Sequence, residues 1–121
     1  MTDTELVSAW RGLLERYHAT SCALDRALND QHQLGVSEFE VLERLAQNGD
    51  CMRIQELATS VHLSQSALSR VVARLERDTL VTREVCETDR RGVFVRLTDA
   101  GTTRYAQALP TQRTVLAAHL A

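Results

Sequence analysis

The sequence predicts a mainly α-helical fold that carries one small β-hairpin. Two observations indicate this class. Apolar residues recur at helical spacing through most of the chain, and their period changes to two only after Thr79. Hydrophobic residues make up 44% of the 121 positions, whereas aromatic residues make up only 4%. We therefore expect a single domain with one modest, aliphatic core.

The first predicted helix, from residue 3 to about residue 29, is longer than this domain needs. Thr2 and Glu5 have the spacing of a capping box at its start. At about 1.5 Å per residue it would extend about 40 Å. We expect an arm that pairs with a second copy, in preference to simple packing across the domain. The apolar positions of the helix are Leu6, Trp10, Leu13, Leu14, Tyr17, Leu24 and Leu28.

A second helix follows a break at Gln33-Leu34-Gly35. Ser37 is predicted to cap its start, and Glu40, three residues on, completes a capping box. Asn48-Gly49-Asp50 is predicted to end it, because these residue types favour the conformations that stop a helix.

The third and fourth helices are joined by a very short turn. The third is predicted roughly over residues 53–60, and Ser64 is a good N-cap for the fourth, which runs to about Asp78. Two amphipathic helices separated only by His62 and Leu63 make a helix-turn-helix. The side of the fourth helix predicted to face inward carries Leu68, Val71, Val72 and Leu75.

Two strands and a last helix complete the predicted fold. Residues 81–87 and 93–98 alternate with a period of two, and Thr88–Gly92 is predicted to close the hairpin. Thr98 is predicted to cap the final helix. Pro110 should kink or split that helix, because proline has no N–H to donate and its ring clashes with the preceding turn.

The outward face of the fourth helix carries residue types that read DNA, although they also suit an ordinary solvated face. A recognition helix enters the major groove with its N-terminal residues nearest the bases, where Gln can pair with adenine and Arg with guanine. Arginines farther along are better placed to hold phosphates. We expect DNA-binding residues at Ser64, Gln65, Ser66, Ser69 and Arg70, of which the last four read bases, and at Arg74 and Arg77, which hold phosphates.

The predicted hairpin tip, Asp89-Arg90-Arg91-Gly92, strengthens this interpretation. A guanidinium at the end of a two-stranded finger can enter a narrow minor groove, where the potential is most negative. Asp89 could accept hydrogen bonds from Arg91 and aim it. Alone, this tip is typical of a solvated turn; after a helix-turn-helix it predicts a wing, and hence a winged helix-turn-helix.

The net charge of −2 conceals an uneven distribution. Residues 1–52 hold four arginines and nine acidic residues, a balance of −5. Residues 53–96 hold eight arginines and six acidic residues, a balance of +2. Positive charge is therefore concentrated where the DNA-reading elements are predicted.

These residues resemble the MarR family of winged-helix transcriptional regulators. The similarity is strong over about residues 34–101, in LGVSEFEVLERLA, in IQELATSVHLSQSALSRVVARLERDTLVTRE and in TDRRGVFVRLTDAG. The resemblance implies that Asp89 and Arg91 are the wing pair and that Ser64–Arg77 is the recognition helix. The pattern most typical of the family is Asp89, Arg91, Leu97, Thr98 and Gly101.

The resemblance also implies a homodimer that binds a pseudo-palindromic operator in double-stranded DNA. The dimerisation helices would be residues 1–30 and 101–121, and the DNA-binding region residues 31–100. Family members usually continue with a further C-terminal helix, so a chain ending at Ala121 predicts either a reduced dimerisation module or a shortened form.

A repressor released by a small aromatic ligand is the regulation that the resemblance implies. Such ligands often bind between the dimerisation helices and the winged helix. Aromatic residues and a histidine could line that space, although packing in the core is the stronger interpretation for Phe39. The candidate pocket residues are Trp10, Tyr17, His18 and Tyr105.

The sequence predicts no cofactor and no metal. His18 and Cys22 share a helix face, but no third or fourth ligand is evident. Cys22, Cys51 and Cys86 form no CxxC, so neither a disulfide framework nor a zinc ribbon is expected. Of the three, Cys86 is the best placed for redox sensing.

An enzyme is rejected because the sequence has no nucleophile elbow, P-loop or HExxH. A winged helix that binds a protein instead of DNA remains open, given the acidic N-terminal half. The sequence has neither a secretory signal nor an apolar run of membrane-spanning length, so we expect a cytoplasmic protein.

Overall fold

The computed structural model describes residues 1–85 and 92–121, which form five helices and a three-stranded sheet. The mainly helical fold class is confirmed. Cys86, Asp89, Arg90, Arg91 and the rest of the predicted hairpin turn before Gly92 lie outside the described residues. The elements are α1 (Asp3–His32), α2 (Val36–Gln47), β1 (Cys51–Arg53), α3 (Ile54–Ser60), α4 (Gln65–Arg77), β2 (Val81–Val85), β3 (Val93–Leu97) and α5 (Asp99–Leu120).

The sheet has one strand more than the predicted hairpin. Its order is β1-β3-β2, and both pairings are antiparallel. In β1 Cys51 pairs with Arg96 and Arg53 with Phe94. Three residues are too few to show a period of two, so only the pairing with β3 identifies β1 as a strand.

The core is aliphatic, as its composition predicts. Phe39 is its one buried aromatic residue among those described, and Leu24 and Leu28 bring the second half of α1 into it. The inward face predicted for α4 is buried throughout. The other fully buried large side chains are Leu34, Val41, Leu42, Leu45, Leu57, Leu68, Val72, Leu75, Leu80 and Val81.

The first half of α1 does not pack on its own domain. The predicted capping box is present, with the Glu5 N–H donating to Oγ1 of Thr2 at 3.2 Å. Every residue before Thr20 is nevertheless exposed, and Trp10 keeps 59% of its surface. Neither α1 nor any other helix in the two described ranges combines the length and apolar character needed to cross a membrane.

The predicted cap of α2 is wrong. The helix begins at Val36 with Gly35 as its N-cap, so Ser37 lies inside the first turn. The N–H of Val36 donates instead to Oδ1 of Asp25, at 2.9 Å. A carboxylate from α1 therefore supplies the acceptor, and its charge also favours the positive end of the helix dipole.

Pro110 does not split the last helix, because α5 continues from Asp99 to Leu120. The proline removes one backbone bond, leaving the carbonyl of Ala106 without its helical donor. Pro110 and Ala106 are both exposed, so water can occupy the vacant position. Thr98 caps α5 as predicted, accepting from the Gly101 N–H at 3.0 Å.

Candidate nucleic-acid interface

The turn between α3 and α4 fixes the orientation of α4 relative to α3. His62 adopts a left-handed conformation with φ of 58°, which reverses the chain within a few residues. The N–H of Leu63 then donates to the carbonyl of Ala58 at 3.1 Å, satisfying the end of α3. Because Leu57 and Leu68 are both fully buried, the two helices share one core.

Ser64 begins α4 as its N-cap. Its Oγ accepts from the Ala67 N–H at 3.2 Å and lies 3.3 Å from Oγ of Ser66. A hydroxyl has one donor beside two acceptor positions, so the cap occupies only one acceptor position of Ser64.

The structure brings the predicted residues of α4 together on one outward face. Leu68 and Val72 are fully buried and hold the opposite side in the core. Ser69 is half-buried, which places it at the edge of this face. The exposed members are Ser64, Gln65, Ser66, Arg70, Ala73, Arg74 and Arg77.

The arginines of this face differ in their surroundings. Nε of Arg74 lies 3.7 Å from Oε1 of Glu38 in α2, but the Arg74 side chain is 52% exposed. A contact this long and this exposed is weak, so a phosphate can replace it. Arg70 and Arg77 form no ion pair with any other described residue.

Strand β2 packs against α4, and β2 and β3 are the strands on either side of the predicted wing tip in sequence. Glu84 opposes Phe94 in their register, and Val85 opposes Val93. Nε of Arg96 lies 3.1 Å from both carboxylate oxygens of Glu84, which ties the two strands together. The two strands thus form a ribbon whose last described pair is Val85 and Val93.

A cavity of about 340 Å³ lies between α1, α2 and the turn that precedes α4. Its wall mixes apolar and hydroxyl-bearing side chains with two charged ones. The lining residues are Tyr17, Thr20, Ser21, Leu24, Val36, Ser37, Glu40, Arg44, Ser60, Val61, His62 and Leu63.

The two charged residues of this cavity are unusually placed. Burial raises the pKa of the Glu40 carboxyl, and the neighbouring Glu43 raises it further. Nη1 of Arg44 donates to Oε1 of Gln47 at 3.3 Å, whereas its buried Nε has no hydrogen-bond partner among the described residues. The cavity therefore adjoins a carboxyl with a raised pKa and an arginine whose Nε has no acceptor among the described residues.

Of the four residues predicted to line a ligand site, only Tyr17 lines this cavity. Trp10 lies farther along the exposed half of α1, and His18 points its Nε2 at Sγ of Cys22, 3.6 Å away. The Tyr105 ring packs against Phe39 with the ring centroids 5.5 Å apart and the ring planes tilted by 41°. The sequence did not predict Glu40, Arg44 or His62 as residues of a ligand site. The only signal in the sequence was the four-residue spacing of Glu40 and Arg44, which places them on one face of α2.

Within residues 1–85 and 92–121, no three metal-binding side chains come together. His18 and Cys22 lie next to each other on the exposed surface of α1 without a third ligand nearby. Cys22 and the half-buried Cys51 are free thiols.

Comparison with known proteins places this chain in a family. The MarR family pattern matches residues 34–93. AbsC, a MarR family transcriptional regulator from Streptomyces coelicolor, is 36% identical; the similarity covers 99% of this chain and 80% of AbsC, with a TM-score of 0.88. The chain belongs to the MarR family.

Two further relatives support the assignment. Sco3205, a MarR family regulator from the same organism solved in complex with DNA, is 30% identical over 99% of this chain and 76% of its own, with a TM-score of 0.91. MhqR, a helix-turn-helix transcriptional regulator from Bacillus subtilis, is 34% identical over 83 residues, or 63% of this chain. That match spans only 57% of MhqR's length. All three relatives are transcriptional regulators.

Proposed function

We propose that this protein is a sequence-specific DNA-binding transcriptional regulator that works as a homodimer. The observation that carries the proposal is the outward face of α4, which is polar, rich in arginine and part of a helix-turn-helix that the β2–β3 ribbon follows. Membership of the MarR family supports it. We infer that the protein acts in the cytoplasm, where bacterial DNA is held.

In this proposal α4 reads base edges with its first two turns. Gln65 and Arg70 carry the side chains that can pair bidentately with adenine and guanine. Ser66 and Ser69 are small, so they let the helix approach the groove floor. Ser64 caps the start of the helix, so its hydroxyl lies beside the proposed base readers.

Phosphate and minor-groove contacts come from the remaining arginines. Arg74 and Arg77 lie one and two turns beyond Arg70 on the same exposed face, and we propose that they contact the DNA backbone. Arg90 and Arg91 follow β2 in sequence, and we propose that Asp89 orients Arg91 toward the minor groove.

The exposed stripe of α1 is the proposed dimer interface. An isolated helix gains little by holding a row of large apolar side chains in water, whereas a second copy could bury them. Two reading units related by a two-fold axis would bind a pseudo-palindromic operator. The stripe consists of Leu6, Val7, Trp10, Leu13, Leu14 and Tyr17, all at least 44% exposed.

The cavity beside the helix-turn-helix is the proposed site of a small aromatic ligand that releases the repressor. Tyr17 and Leu24 offer an apolar wall for a ring, and Arg44 offers a cation for an acidic or phenolic group. The cavity wall includes residues 60–63, directly before Ser64. A bound ligand would therefore press on the turn that orients α4.

Selection of bound duplexes from a random DNA library tests the proposal. We expect a palindrome to be recovered, and a gel shift on it to be weakened strongly by Arg91→Ala. The matched control is Arg26→Ala, which removes the same charge from an exposed position of α1 far from α4. Recovery of no motif, or equal loss in both variants, would refute a specific DNA-binding role and favour a protein-interaction module.

Thermal-shift screening of aromatic acids and phenols tests the ligand site. A binder should raise the unfolding temperature of the wild type and lower its affinity for the palindrome. Arg44→Gln should remove both effects, whereas Arg104→Gln, which changes the same charge on α5, should retain them.

A further inference from the structure

Arg83, the third residue of β2, contacts α4 at two points at once. Its Nε lies 2.8 Å from Oε1 of Glu76, and its Nη2 donates to the main-chain carbonyl of Ser69 at 3.1 Å. Ser69 and Glu76 are seven residues apart, which is two helical turns on one side of α4. One guanidinium therefore contacts both the part of α4 that carries the proposed base readers and the last turn of the helix.

The geometry of the helix explains how two distant points converge on one side chain. Helix carbonyls point toward the C-terminus, whereas side chains tilt toward the N-terminus. The carbonyl of Ser69 and the carboxylate of Glu76 therefore approach each other along the helix surface. A carbonyl oxygen has two lone pairs, so Ser69 can keep its helical bond while it accepts from Arg83.

We propose that Arg83 is a positioning residue that sets the recognition helix against the ribbon that carries the wing. This inference rests on the proposed DNA-binding function. Ser69 neighbours Arg70 among the proposed base readers, and β2 ends at Val85, just before the proposed wing arginines. By fixing Ser69 to β2, Arg83 determines the spacing between the groove-reading helix and the wing.

Arg83 cannot serve mainly as a source of folding stability. The side chains of Arg83 and Glu76 are 36% and 37% exposed, and ion pairs that exposed stabilise proteins only slightly. Its removal should therefore leave the domain folded, which makes the effect on DNA binding measurable.

A direct contact between Arg83 and a DNA phosphate is the competing role. The two roles predict opposite results for Glu76→Gln. If Arg83 binds a phosphate, releasing it from Glu76 and removing a negative charge should tighten binding to all DNA. If Arg83 positions α4, losing Glu76 should weaken binding to the operator and spare non-specific DNA.

Substitution of Arg83 by lysine also distinguishes the positioning role from the phosphate-binding role. Lysine can hold a phosphate as a point charge, but it lacks the fixed fork that reaches two acceptors in different directions. Arg83→Lys should therefore behave like Arg83→Gln under the positioning role and like the wild type under the phosphate role.

The experiment measures affinity by fluorescence anisotropy over a range of salt concentrations. The probes are the palindrome recovered by library selection and a scrambled duplex of equal composition. The variants are Arg83→Gln, Arg83→Lys, Glu76→Gln and the double variant with Gln at both positions. Arg96→Gln is the matched control, since Arg96 pairs with Glu84 across the ribbon without touching α4. Circular dichroism confirms folding of each variant.

We expect each single variant to lose about tenfold in affinity for the palindrome while its salt dependence stays unchanged. Binding to the scrambled duplex should change little, and the double variant should lose no more than either single Gln variant, because both remove one contact network. Arg96→Gln should keep the wild-type preference for the palindrome.

Tighter binding by Glu76→Gln, or wild-type behaviour of Arg83→Lys, would overturn the positioning role. Variants indistinguishable from Arg96→Gln would do the same. Failure of the wild type itself to prefer the palindrome is a different result, because it rejects the DNA-binding function on which this inference rests.

Discussion

The hydroxyl of Tyr105 donates a 2.8 Å hydrogen bond to Oε2 of Glu43, joining α5 to α2. Glu43 is only 6% exposed, and Nη2 of Arg113 also contacts its Oε2, at 2.9 Å. Burial and this hydrogen bond raise the pKa of Tyr105 to about 12. The buried carboxylate thus holds the last helix against the body that presents α4.

Tyr105→Phe should lower the free energy of unfolding by about 1 kcal/mol, because Glu43 stays buried with one donor fewer. Urea unfolding near neutral pH measures the change. Thr82→Val is the control, since Thr82 is exposed on β2 and removal of its hydroxyl should cost less than about 0.5 kcal/mol. Equal losses in the two variants would contradict a buried role for the Tyr105 hydroxyl.

Glu40 should make the protein less stable as the pH rises toward neutrality. Burial raises its pKa in the folded state, so the native protein holds this proton more tightly than the unfolded chain does. Stability therefore falls as the pH rises from the unfolded pKa through the folded one. Glu40→Gln should raise the free energy of unfolding at about pH 7 and change it little at about pH 4. An equal gain in the free energy of unfolding at both pH values would show that the raised pKa of Glu40 is not the cause.

Gly101 should tolerate no side chain. A Cβ there would overlap the main-chain carbonyl oxygen of Leu80 and lie 2.7 Å from Cδ1 of Leu97. We expect Gly101→Ala to cost about 3 kcal/mol in urea unfolding. Gly12→Ala is the matched control: no described atom lies within 4 Å of its Cβ, and it should stabilise α1 by about 0.5 kcal/mol. A tolerated Gly101→Ala would contradict the close approach of α5 to the main chain at Leu80.

The local elements were largely predictable from the sequence because their signals are local. The Ser64 cap, the buried face of α4 and the Thr2–Glu5 capping box each depend on residues within one or two turns. The cap of α2 was not predictable this way, since its acceptor is Asp25, eleven residues earlier and on another helix. Strand β1 likewise exists only through its pairing with β3, more than forty residues later.

The residues of the candidate site likewise fall into two groups, those that a local sequence pattern predicts and those that depend on tertiary packing. The outward face of α4 follows from the helical phase, so its residues could be predicted. The contact of Arg83 with Ser69 and Glu76, and the cavity that joins Tyr17 to Arg44, depend on how β2 and α1 pack against other elements. No periodicity encodes those distances.

The exposed stripe of α1 should control assembly. Leu13 is 62% exposed at the middle of this stripe, and Leu13→Glu would place a charge in an apolar interface between two copies. Sedimentation should show the wild type as a dimer. The Leu13→Glu variant should dissociate into monomers at protein concentrations far above those at which the wild type dissociates. Ser8→Glu puts the same carboxylate away from the stripe and should leave the dimer intact. A monomeric wild type would contradict the proposed interface.

The separation of base readers from phosphate holders on α4 is the central claim, and salt-dependent binding tests it most directly. On the selected palindrome and its scrambled control, Arg70→Ala should reduce discrimination by about 1–3 kcal/mol. Arg74→Ala should weaken both duplexes alike and lower the salt slope by about one. A wild type that binds both duplexes equally, or an Arg70→Ala variant that keeps full discrimination, would contradict this assignment.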